Sequence, residues 1–232
     1  MRTLVVLPTY NEAQNLPRMA AELLSLGVQV LVIDDNSPDG TGQIADELQA
    51  KHPAAVNVIH RAGKLGLGTA YVTGFKYALA HGVDAVIQMD ADFSHSPSYI
   101  PKFLPLLAEY DVVIGSRYTD GGRLDDRWPL WRRGLSGFGN WYARTITGLP
   151  IRDVTSGFRF YTRQALAGLP LDRLVCSGYA FQIEVAYVCY RLGYRIHEEP
   201  ITFEEREQGQ SKMSTKIMFE AMWRVWQMKW RY

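Results

Sequence analysis

Two carboxylates follow an apolar stretch near the middle of the chain. Asp90 and Asp92 come directly after Val86–Met89, which has the length and β-branched content of a buried strand. Ligands of an open α/β sheet bind beyond the carboxyl ends of its strands. Two acidic side chains at such a place repel each other unless a cation compensates them, and oxygen ligands favour Mg²⁺ or Mn²⁺. The spacing predicts a divalent-metal site, although a bare Asp-x-Asp also occurs in ordinary turns.

Alternating strand and helix signals in the first half of the chain would position this pair. The predicted strands are Thr3–Leu7, Gln29–Ile33, Asn57–His60, Ala85–Met89 and Val112–Ile114. The predicted helices are Glu12–Leu26, Thr41–Lys51, Leu67–Ala80 and Ser98–Glu109. Repeated strand–helix units indicate an α/β fold with a mostly parallel sheet flanked by helices.

Polar residues stand at the ends of four predicted strands. They are Pro8–Glu12, Asp34-Asp35, Asp90-Ala91-Asp92 and Ser116-Arg117. Because the carboxyl ends of parallel strands meet at one edge of a sheet, we expect these clusters to converge there. That edge is the candidate active site.

The second half of the sequence has a different pattern. Residues 118–130 are rich in Gly, Asp and Arg without periodicity, which predicts a mobile loop. Helices are predicted at Leu130–Thr147, Tyr179–Leu192 and Ser211–Arg231, and a strand at Arg195–Phe203. We expect one domain over residues 1–210, followed by a C-terminal amphipathic helix over residues 211–232.

Composition excludes several classes of protein. The 232 residues carry a net charge of +1, which gives no reason to expect nucleic acid as a partner. Cys176 and Cys189 lack metal-ligand spacing, so reduced, buried thiols are expected. The glycines of residues 66–68 form neither a dinucleotide fingerprint nor a P-loop. Neither a signal peptide nor a run of ~18 apolar residues is present, so we expect a cytoplasmic protein.

Several short motifs, taken in order, are more specific than any one of them. They are Pro8-Thr9-Tyr10-Asn11-Glu12, Val32–Thr41, Gly66–Ala70, Asp90-Ala91-Asp92, Ile114–Tyr118, Asp153–Arg159, and Arg206 six residues before Lys212. Together they resemble the inverting glycosyltransferases of family two and, within them, the polyprenyl-phosphate mannose synthases. The resemblance covers nearly the whole chain and implies the GT-A nucleotide-sugar fold, here with C-terminal amphipathic helices.

The resemblance implies a donor site and a metal site at the sheet edge. A divalent ion, Mg²⁺ or Mn²⁺, held by Asp92 with help from Asp90, would neutralise the charge that grows on the diphosphate. Ser94 stands at the third ligand position, where it would contact the ion directly or through water. Residues at the family's other donor-contact positions are Pro8, Tyr10, Glu12, Ile33, Asp35 and Ala91. Core or turn positions explain Pro8 and Ile33 equally well.

A lipid monophosphate as acceptor changes what the site must do. It is already ionised near neutral pH, so its attack on the anomeric carbon needs no general base. The site needs cations that hold two anionic groups together, and the arginine fork suits phosphate. The candidates are Arg117, Arg132, Arg133, Arg206 and Lys212. We assign catalytic roles to Asp92 and Arg117, and expect Arg117→Ala and Lys212→Ala to impair transfer without unfolding the protein.

The tryptophans are concentrated in the second half of the chain. All six follow residue 127, and three lie with basic residues on the final predicted helix. This composition is typical of a helix in a membrane interface, although a helix docked on the protein core also fits it. Trp128 and Trp131, beside Arg132 and Arg133, would form a second membrane contact.

These features predict a peripheral enzyme at the cytosolic face of a membrane. The expected reaction is transfer of mannose from GDP-mannose to a polyprenyl (dolichyl-type) phosphate with inversion. A membrane-anchoring partner subunit is compatible with this arrangement. Two alternatives stay open: transfer of glucose from UDP-glucose to the same acceptor, and a catalytically silent nucleotide-sugar-binding membrane adaptor. The complete set Asp90, Asp92, Arg117 and Lys212 argues against the silent adaptor.

Overall fold

A seven-stranded sheet forms the centre of the molecule. The computed structural model describes residues 1–174, 176, 178–205 and 215–232. The strands within them are β1 Thr3–Thr9, β2 Gln29–Asp34, β3 Val56–His60, β4 Ala85–Gln88, β5 Val112–Ser116, β6 Arg123–Leu124, β7 Arg159–Thr162, β8 Ile196–Pro200 and β9 Thr202–Phe203. The α-helices within them are α1 Leu16–Ser25, α2 Thr41–Lys51, α3 Leu67–Ala80, α4 Ile100–Phe103, α5 Leu130–Thr147, α6 Arg163–Gly168, α7 Gly178–Arg191 and α8 Thr215–Arg231.

One antiparallel strand interrupts an otherwise parallel sheet. The strand order is β3-β2-β1-β4-β7-β5-β8, and β6 pairs with β9 in a separate two-stranded sheet. β7 runs antiparallel to both β4 and β5, whereas the other neighbours in the large sheet are parallel. β7 therefore begins at the edge where the parallel strands end. The residues that precede Arg159 consequently lie at the same edge as the polar ends of β1, β2, β4 and β5.

Helices cover both faces of this sheet, as predicted. Along β1, Leu4 and Val6 belong to the core formed with α3, α5, α7 and α8, whereas Val5 and Leu7 belong to the core formed with α1, α2 and α4. Strands that are buried on both faces have continuous apolar sequences, and β1 is an example. At Gly74 of α3 an added Cβ would lie 2.4 Å from the Val6 side chain, so this close helix–sheet approach requires glycine.

The accuracy of the predicted helix bounds differs along the chain. α2, α3 and α5 begin and end at the predicted residues, whereas α1 begins at Leu16 instead of Glu12. The predicted helix over residues 98–109 is instead a series of short α and 3₁₀ turns, in which Pro101 and Pro105 supply no backbone N–H. The predicted strand over residues 195–203 divides at Ile201 into β8 and β9, because the two parts pair in different sheets. The loop over residues 118–130 includes β6.

The final helix packs on the domain along one side. Val225 and Met228 of α8 are buried in the core that includes α5 and α7. Tyr142 of α5 donates to the Met222 carbonyl at 3.3 Å and accepts from the Trp226 indole N–H at 2.9 Å. The predicted boundary between residues 210 and 211 falls outside the described residues. Within the part of the chain that the structure describes, no helix has both the length and the apolarity to cross a membrane.

Candidate active site

Three strand ends at the sheet edge carry residues in the left-handed backbone region. Asn11 after β1, Asn36 after β2 and Phe93 after β4 have φ angles of 60°, 55° and 61°. Asparagine tolerates this region, but a bulky aromatic residue adopts it rarely. Phe93 is buried, and the Arg18 guanidinium lies 4.2 Å from the centre of its ring. Backbone strain of this kind concentrates at functional sites, and Phe93 places it directly after the acidic pair.

The acidic pair lies after β4, and each carboxylate accepts from a different side chain. Asp92 is buried, and its Oδ1 accepts from the Ser94 backbone N–H at 3.1 Å and from the Ser94 hydroxyl at 2.6 Å. Asp90 is half-buried, and its Oδ1 accepts from the Tyr71 hydroxyl at 3.0 Å. Ser94 therefore orients Asp92, and Tyr71 orients Asp90.

Tyr71 reaches the acidic pair from α3. Its ring stacks on Phe75 and Phe181, with centroids 6.1 Å and 6.0 Å away. Burial and the neighbouring Asp90 carboxylate raise the pKa of Tyr71 well above its ordinary value, so the hydroxyl remains a donor at physiological pH. An added Cβ at Gly157 would lie 3.8 Å from Asp90 Oδ2, which shows how closely the loop before β7 packs on the acidic pair.

The donor set of this loop fits a divalent cation. Asp90, Asp92 and Ser94 supply carboxylate and hydroxyl oxygens, which are the ligands that Mg²⁺ and Mn²⁺ prefer. Among the described residues, no group of three or more His, Cys, Asp or Glu side chains is arranged to hold a metal ion. Two protein carboxylates would supply part of a coordination sphere, which substrate phosphates and water would complete.

Asp35 after β2 is paired with an arginine that the sequence pattern did not single out. Arg61 follows β3, and its Nη2 donates to Asp35 Oδ2 at 2.7 Å while its Nε donates to Oδ1. The same guanidinium donates to the Gly66 carbonyl at 3.0 Å and to the Thr69 hydroxyl at 2.7 Å. Arg61 thus joins the ends of β2 and β3 to the start of α3. Its place directly after a predicted strand is the signal that would have found it.

The other predicted donor contacts have different environments. Pro8 and Tyr10 are half-buried at the end of β1. Ile33 is fully buried in the core, so its side chain serves packing. The backbone N–H of Glu12 donates to the Thr41 hydroxyl at 2.9 Å, which ties the end of β1 to the start of α2. Ala91, between the two carboxylates, is buried.

Arg117 after β5 forms a buried ion pair with Asp153. Arg117 Nε lies 2.7 Å from Asp153 Oδ2, and Nη2 lies 2.7 Å from Oδ1. The backbone N–H of Arg117 also donates to Oδ2, at 3.0 Å. Burial alone would raise the pKa of the Asp153 carboxyl, but the charge and hydrogen bonds of Arg117 hold the pKa below its ordinary value. The pair is therefore ionised at neutral pH.

This ion pair changes the expected effect of removing Arg117. Alanine at position 117 would take the guanidinium away from a fully buried carboxylate. Removing one partner of a buried pair destabilises a protein by roughly 3–5 kcal/mol. Arg117 therefore supports the fold as well as the site, and the expectation that Arg117→Ala leaves the fold intact is replaced by one of substantial destabilisation.

Hydrogen bonds connect this ion pair to α5 and to the loop before β7. Arg117 Nη2 donates to the Thr155 hydroxyl oxygen at 2.7 Å, and the Asn140 amide of α5 donates to the same oxygen at 3.0 Å. Arg159 is 1% exposed, and its guanidinium donates to three backbone carbonyls. They are those of Val154, Ser156 and Gln182. Nothing in the spacing of Asn140 or Arg159 indicates these contacts, which depend on the topology.

Two of the remaining four predicted phosphate ligands lie within the described residues. Arg132 and Arg133 are half-buried at the start of α5, where Arg133 donates to the Asp125 carbonyl at 3.0 Å and Arg132 makes a 3.4 Å ion pair with Glu205. Arg117 and Arg133 line one open cleft of about 720 Å³. Arg206 and Lys212 lie outside the described residues.

Trp128 is not available as a membrane contact, which corrects the expectation for this residue. Its side chain is buried, its ring meets Phe203 edge-on at 5.5 Å, and the Arg132 guanidinium lies 3.8 Å from its centre. Trp131, by contrast, is 71% exposed. The two tryptophans therefore have separate environments: Trp128 packs against Phe203 and Arg132, and Trp131 lies on the surface.

Comparison with known proteins identifies the class. The sequence model of Glycosyl transferase family 2 matches residues 4–169, so the chain belongs to this family and is a glycosyltransferase. Mannosyltransferase PcManGT from Pyrobaculum calidifontis, solved in complex with GDP-Man and Mn²⁺, superposes with a TM-score of 0.59 at 16% identity. The match covers 98% of this chain and 69% of that chain. This likeness confirms the predicted GT-A fold.

Two curated relatives narrow the resemblance within the family. Undecaprenyl-phosphate mannosyltransferase of Micrococcus luteus is 45% identical over 224 residues, which cover 96% of this chain and 91% of that protein. Polyprenol monophosphomannose synthase of Mycolicibacterium smegmatis is 44% identical over 227 residues, which cover 97% of this chain and 85% of that protein. The resemblance to the polyprenyl-phosphate mannose synthases is thereby confirmed.

Proposed function

We propose that this glycosyltransferase moves mannose from GDP-mannose to a polyprenyl phosphate with inversion at the anomeric carbon. The observation that carries the proposal is the meeting of an acidic pair and an arginine-lined cleft at one sheet edge, on opposite sides of β7. The acidic pair suits a cation that bridges a diphosphate, and arginine suits a phosphate monoester. The names of the two curated relatives, and the GDP-Man bound to the Pyrobaculum enzyme, support this donor and acceptor.

The ends of β1 and β2 form the donor side. Tyr10 offers a half-buried ring for the base, and Glu12 and Asp35 offer carboxylate oxygens to the hydroxyls and N–H groups of a nucleoside. Arg61 holds Asp35 in one orientation. Because these groups are oriented within the fold, little side-chain freedom is lost when a nucleotide binds.

The acidic pair forms the metal side. A divalent ion bound there would neutralise the negative charge that accumulates on the leaving GDP. Asp92 and Asp90 would hold it, each already oriented by a neutral donor. Because the Ser94 hydroxyl donates to Asp92, we assign Ser94 to orienting that ligand and to contact with the ion through water.

Cations take the place of a general base on the acceptor side. An ionised phosphate oxygen attacks the anomeric carbon from the face opposite GDP, which gives inversion. Arg117 and Arg133 line the cleft in which that phosphate would bind, and Arg132, the neighbour of Arg133 on α5, forms an ion pair with Glu205. The backbone N–H of Glu204 donates to the Ser94 carbonyl at 3.3 Å. The described chain therefore passes beside the acidic pair at Glu204, and phosphate contacts by Arg206 and Lys212 are proposed from the sequence motif alone.

An exposed aromatic face accounts for access to a lipid acceptor. This face comprises Leu130, Trp131, Phe138 and Trp141 of α5 and Trp223, Trp226 and Trp230 of α8. Their spacing places the members of each helix on one side, while Val225 and Met228 lie on the opposite, buried side of α8. The exposed side chains of Arg144, Lys229 and Arg231 add positive charge beside it. Aromatic rings with flanking cations suit a membrane interface with anionic headgroups.

The position of this aromatic face favours a membrane as the surface to which it binds. α5 carries Trp131 and Trp141 on its exposed side and Arg133 at the cleft, so one helix connects the face to the acceptor site. A polyprenyl tail lying in a cytosolic leaflet could then deliver its phosphate to the cleft. A membrane-anchoring subunit would bind the same face. Loss of subunit binding when α8 is mutated would identify this face as its binding site.

The decisive experiment compares donors with one acceptor. Purified protein is incubated with labelled GDP-mannose or UDP-glucose, a polyprenyl phosphate and Mg²⁺ or Mn²⁺, and the product anomer is determined by NMR. We expect mannosyl transfer with inversion, and loss of transfer in EDTA. Transfer from UDP-glucose alone, a product of retained configuration, or full activity in EDTA would each contradict part of the proposal, and absence of any transfer would leave the silent adaptor.

A further inference from the structure

We propose that Tyr71 is a positioning residue whose hydroxyl holds Asp90 in its metal-binding orientation and thereby sets the affinity for the divalent ion. This inference rests on the metal role proposed for Asp90. The hydroxyl lies 3.0 Å from Asp90 Oδ1, and it comes from α3, a different element from the loop that carries the acidic pair.

Tyr71 is itself held rigidly. Its side chain is fully buried, and its ring stacks between Phe75 of the same helix and Phe181 of α7. On the other side of the carboxylate, the position of a Cβ at Gly157 is 3.8 Å from Asp90 Oδ2. The Asp90 carboxylate thus accepts from a hydroxyl whose own position is fixed by aromatic packing.

The two carboxylates differ in where their donors come from. Ser94, which orients Asp92, is two residues away and moves with the same loop. Tyr71, which orients Asp90, is nineteen residues away on the helix covering the sheet. Removing the Ser94 hydroxyl leaves the Ser94 backbone N–H on Asp92 at 3.1 Å. Removing the Tyr71 hydroxyl takes away a hydrogen bond between Asp90 and α3.

The chain contains a matched control for this hydroxyl. Tyr161 of β7 is also fully buried, its ring packs on Phe75 at 5.4 Å, and its hydroxyl donates to Gln88 Oε1 at 3.2 Å. Tyr71→Phe and Tyr161→Phe therefore delete the same atom from the same core. Only Tyr71→Phe changes a contact to the acidic pair.

The test measures binding of Mn²⁺ itself, by the electron paramagnetic resonance signal of the free ion, in the presence of saturating GDP. Partners that orient metal ligands typically contribute 10–100-fold to metal affinity. We expect Tyr71→Phe to raise the Kd for Mn²⁺ on the order of 10-fold, and Tyr161→Phe to leave it near the wild-type value. Asp90→Ala should weaken binding further, and adding Tyr71→Phe to Asp90→Ala should have no further effect, because the partner is gone. Urea unfolding of each variant reports the fold independently.

Each outcome separates this inference from the proposed metal role. If Asp90→Ala weakens Mn²⁺ binding and Tyr71→Phe does not, Asp90 is a ligand that Tyr71 does not position. If Asp90→Ala binds Mn²⁺ like the wild type, the metal role of Asp90 fails and the inference fails with it. Equal weakening by Tyr71→Phe and Tyr161→Phe would indicate general loosening of the core and would also overturn the inference.

Discussion

The donor half and the acceptor half of the sheet edge are built in different ways. In the donor half, polar residues are held by neighbours on the next strand or turn, as where Asp34 accepts from the hydroxyls of Thr9 and Ser37 at 3.1 Å and 2.6 Å. In the acceptor half, one buried ion pair between Arg117 and Asp153 joins segments 36 residues apart.

The two halves should therefore respond differently to single substitutions. In the donor half the contacts of Asp34 are shared among several hydroxyls, so removal of one of them should be tolerated by the fold. The buried Arg61–Asp35 pair is the exception there, and it joins only the adjacent ends of β2, β3 and α3. In the acceptor half Arg117 connects β5, the loop before β7 and, through Thr155, Asn140 of α5. A single change there should disturb the fold and the site together.

The largest effect is expected from Arg117→Ala. The buried Asp153 carboxylate would lose its ion pair, and the free energy of unfolding should fall by roughly 3–5 kcal/mol. Urea denaturation at neutral pH measures this change. Lys51→Ala on α2 is the control, because both partners of its ion pair with Glu47 are exposed, and surface substitutions usually stay within about 0.5 kcal/mol. Similar stabilities for the two variants would show that the Arg117–Asp153 pair does not stabilise the fold as described.

The pH dependence of the stability difference between the wild type and Arg117→Ala provides a second check. In the wild type the pKa of Asp153 is lowered, so its stabilising contribution is present at neutral pH and is lost as the pH falls through its pKa in the folded protein. Without Arg117, burial would raise this pKa, and the variant would gain stability relative to the wild type on acidification. The gap between the two unfolding free energies should narrow from about pH 7 to about pH 4. A constant gap would argue against an ionised pair.

Asp92→Asn tests the donor half, and its effect should be on activity alone. Asparagine keeps the size of the side chain and an oxygen for Ser94, but removes the charge that a divalent ion requires. Loss of a comparable electrostatic stabiliser lowers kcat on the order of 10²–10³-fold. Asp46→Asn on α2, whose exposed carboxylate binds His60, is the control and should transfer normally. A rate for Asp92→Asn near that of the control would remove Asp92 from catalysis.

Replacing Trp223, Trp226 and Trp230 together by Ser tests the aromatic face. We expect weaker co-sedimentation with anionic liposomes and weaker transfer to a long-chain acceptor, with little change for a short, soluble one. Binding should also decrease at high salt, because each basic residue near an anionic surface contributes about 1 kcal/mol. Leu65, Tyr190 and Leu192 are exposed hydrophobic residues elsewhere, and their replacement by Ser is the control. Equal losses in both triple variants would exclude a specific face.

The smallest effect is expected from Ser94→Ala. The Asp92 carboxylate keeps the backbone N–H of residue 94, and water can take the place of the hydroxyl. Transfer should fall roughly 10-fold or less, well short of Asp92→Asn. A loss as large as that of Asp92→Asn would instead make Ser94 a direct ligand of the ion.

Local patterns predicted the donor half of this molecule well. The acidic pair, the strand ends and α3 follow from apolar periodicity and from residues close in sequence. Arg61 was missed although it occupies the same kind of position, directly after a strand. Tyr71 has no comparable signal, because its hydroxyl reaches Asp90 only through the packing of α3 on the sheet.

The acceptor half was less predictable because its contacts depend on topology. No spacing indicates that β7 enters between β4 and β5, since strand pairing is non-local. When the position of β7 is unknown, the sequence assigns no partner to the Asp153 carboxylate, and Arg117 is interpreted as an unpaired phosphate ligand. Trp128 was placed on the surface for a related reason, since its burial depends on contact with Phe203, far along the chain.

The late position of β7 in the chain has a consequence for synthesis on the ribosome. β4 is complete at Gln88, but its neighbour β7 ends at Thr162. While the intervening residues are translated, one side of β4 presents unpaired N–H and C=O groups, which another chain can extend as a template. A parallel unit of β1 to β4 that forms before β7 is translated has an open edge, and slow elongation between these strands lengthens its exposure to aggregation.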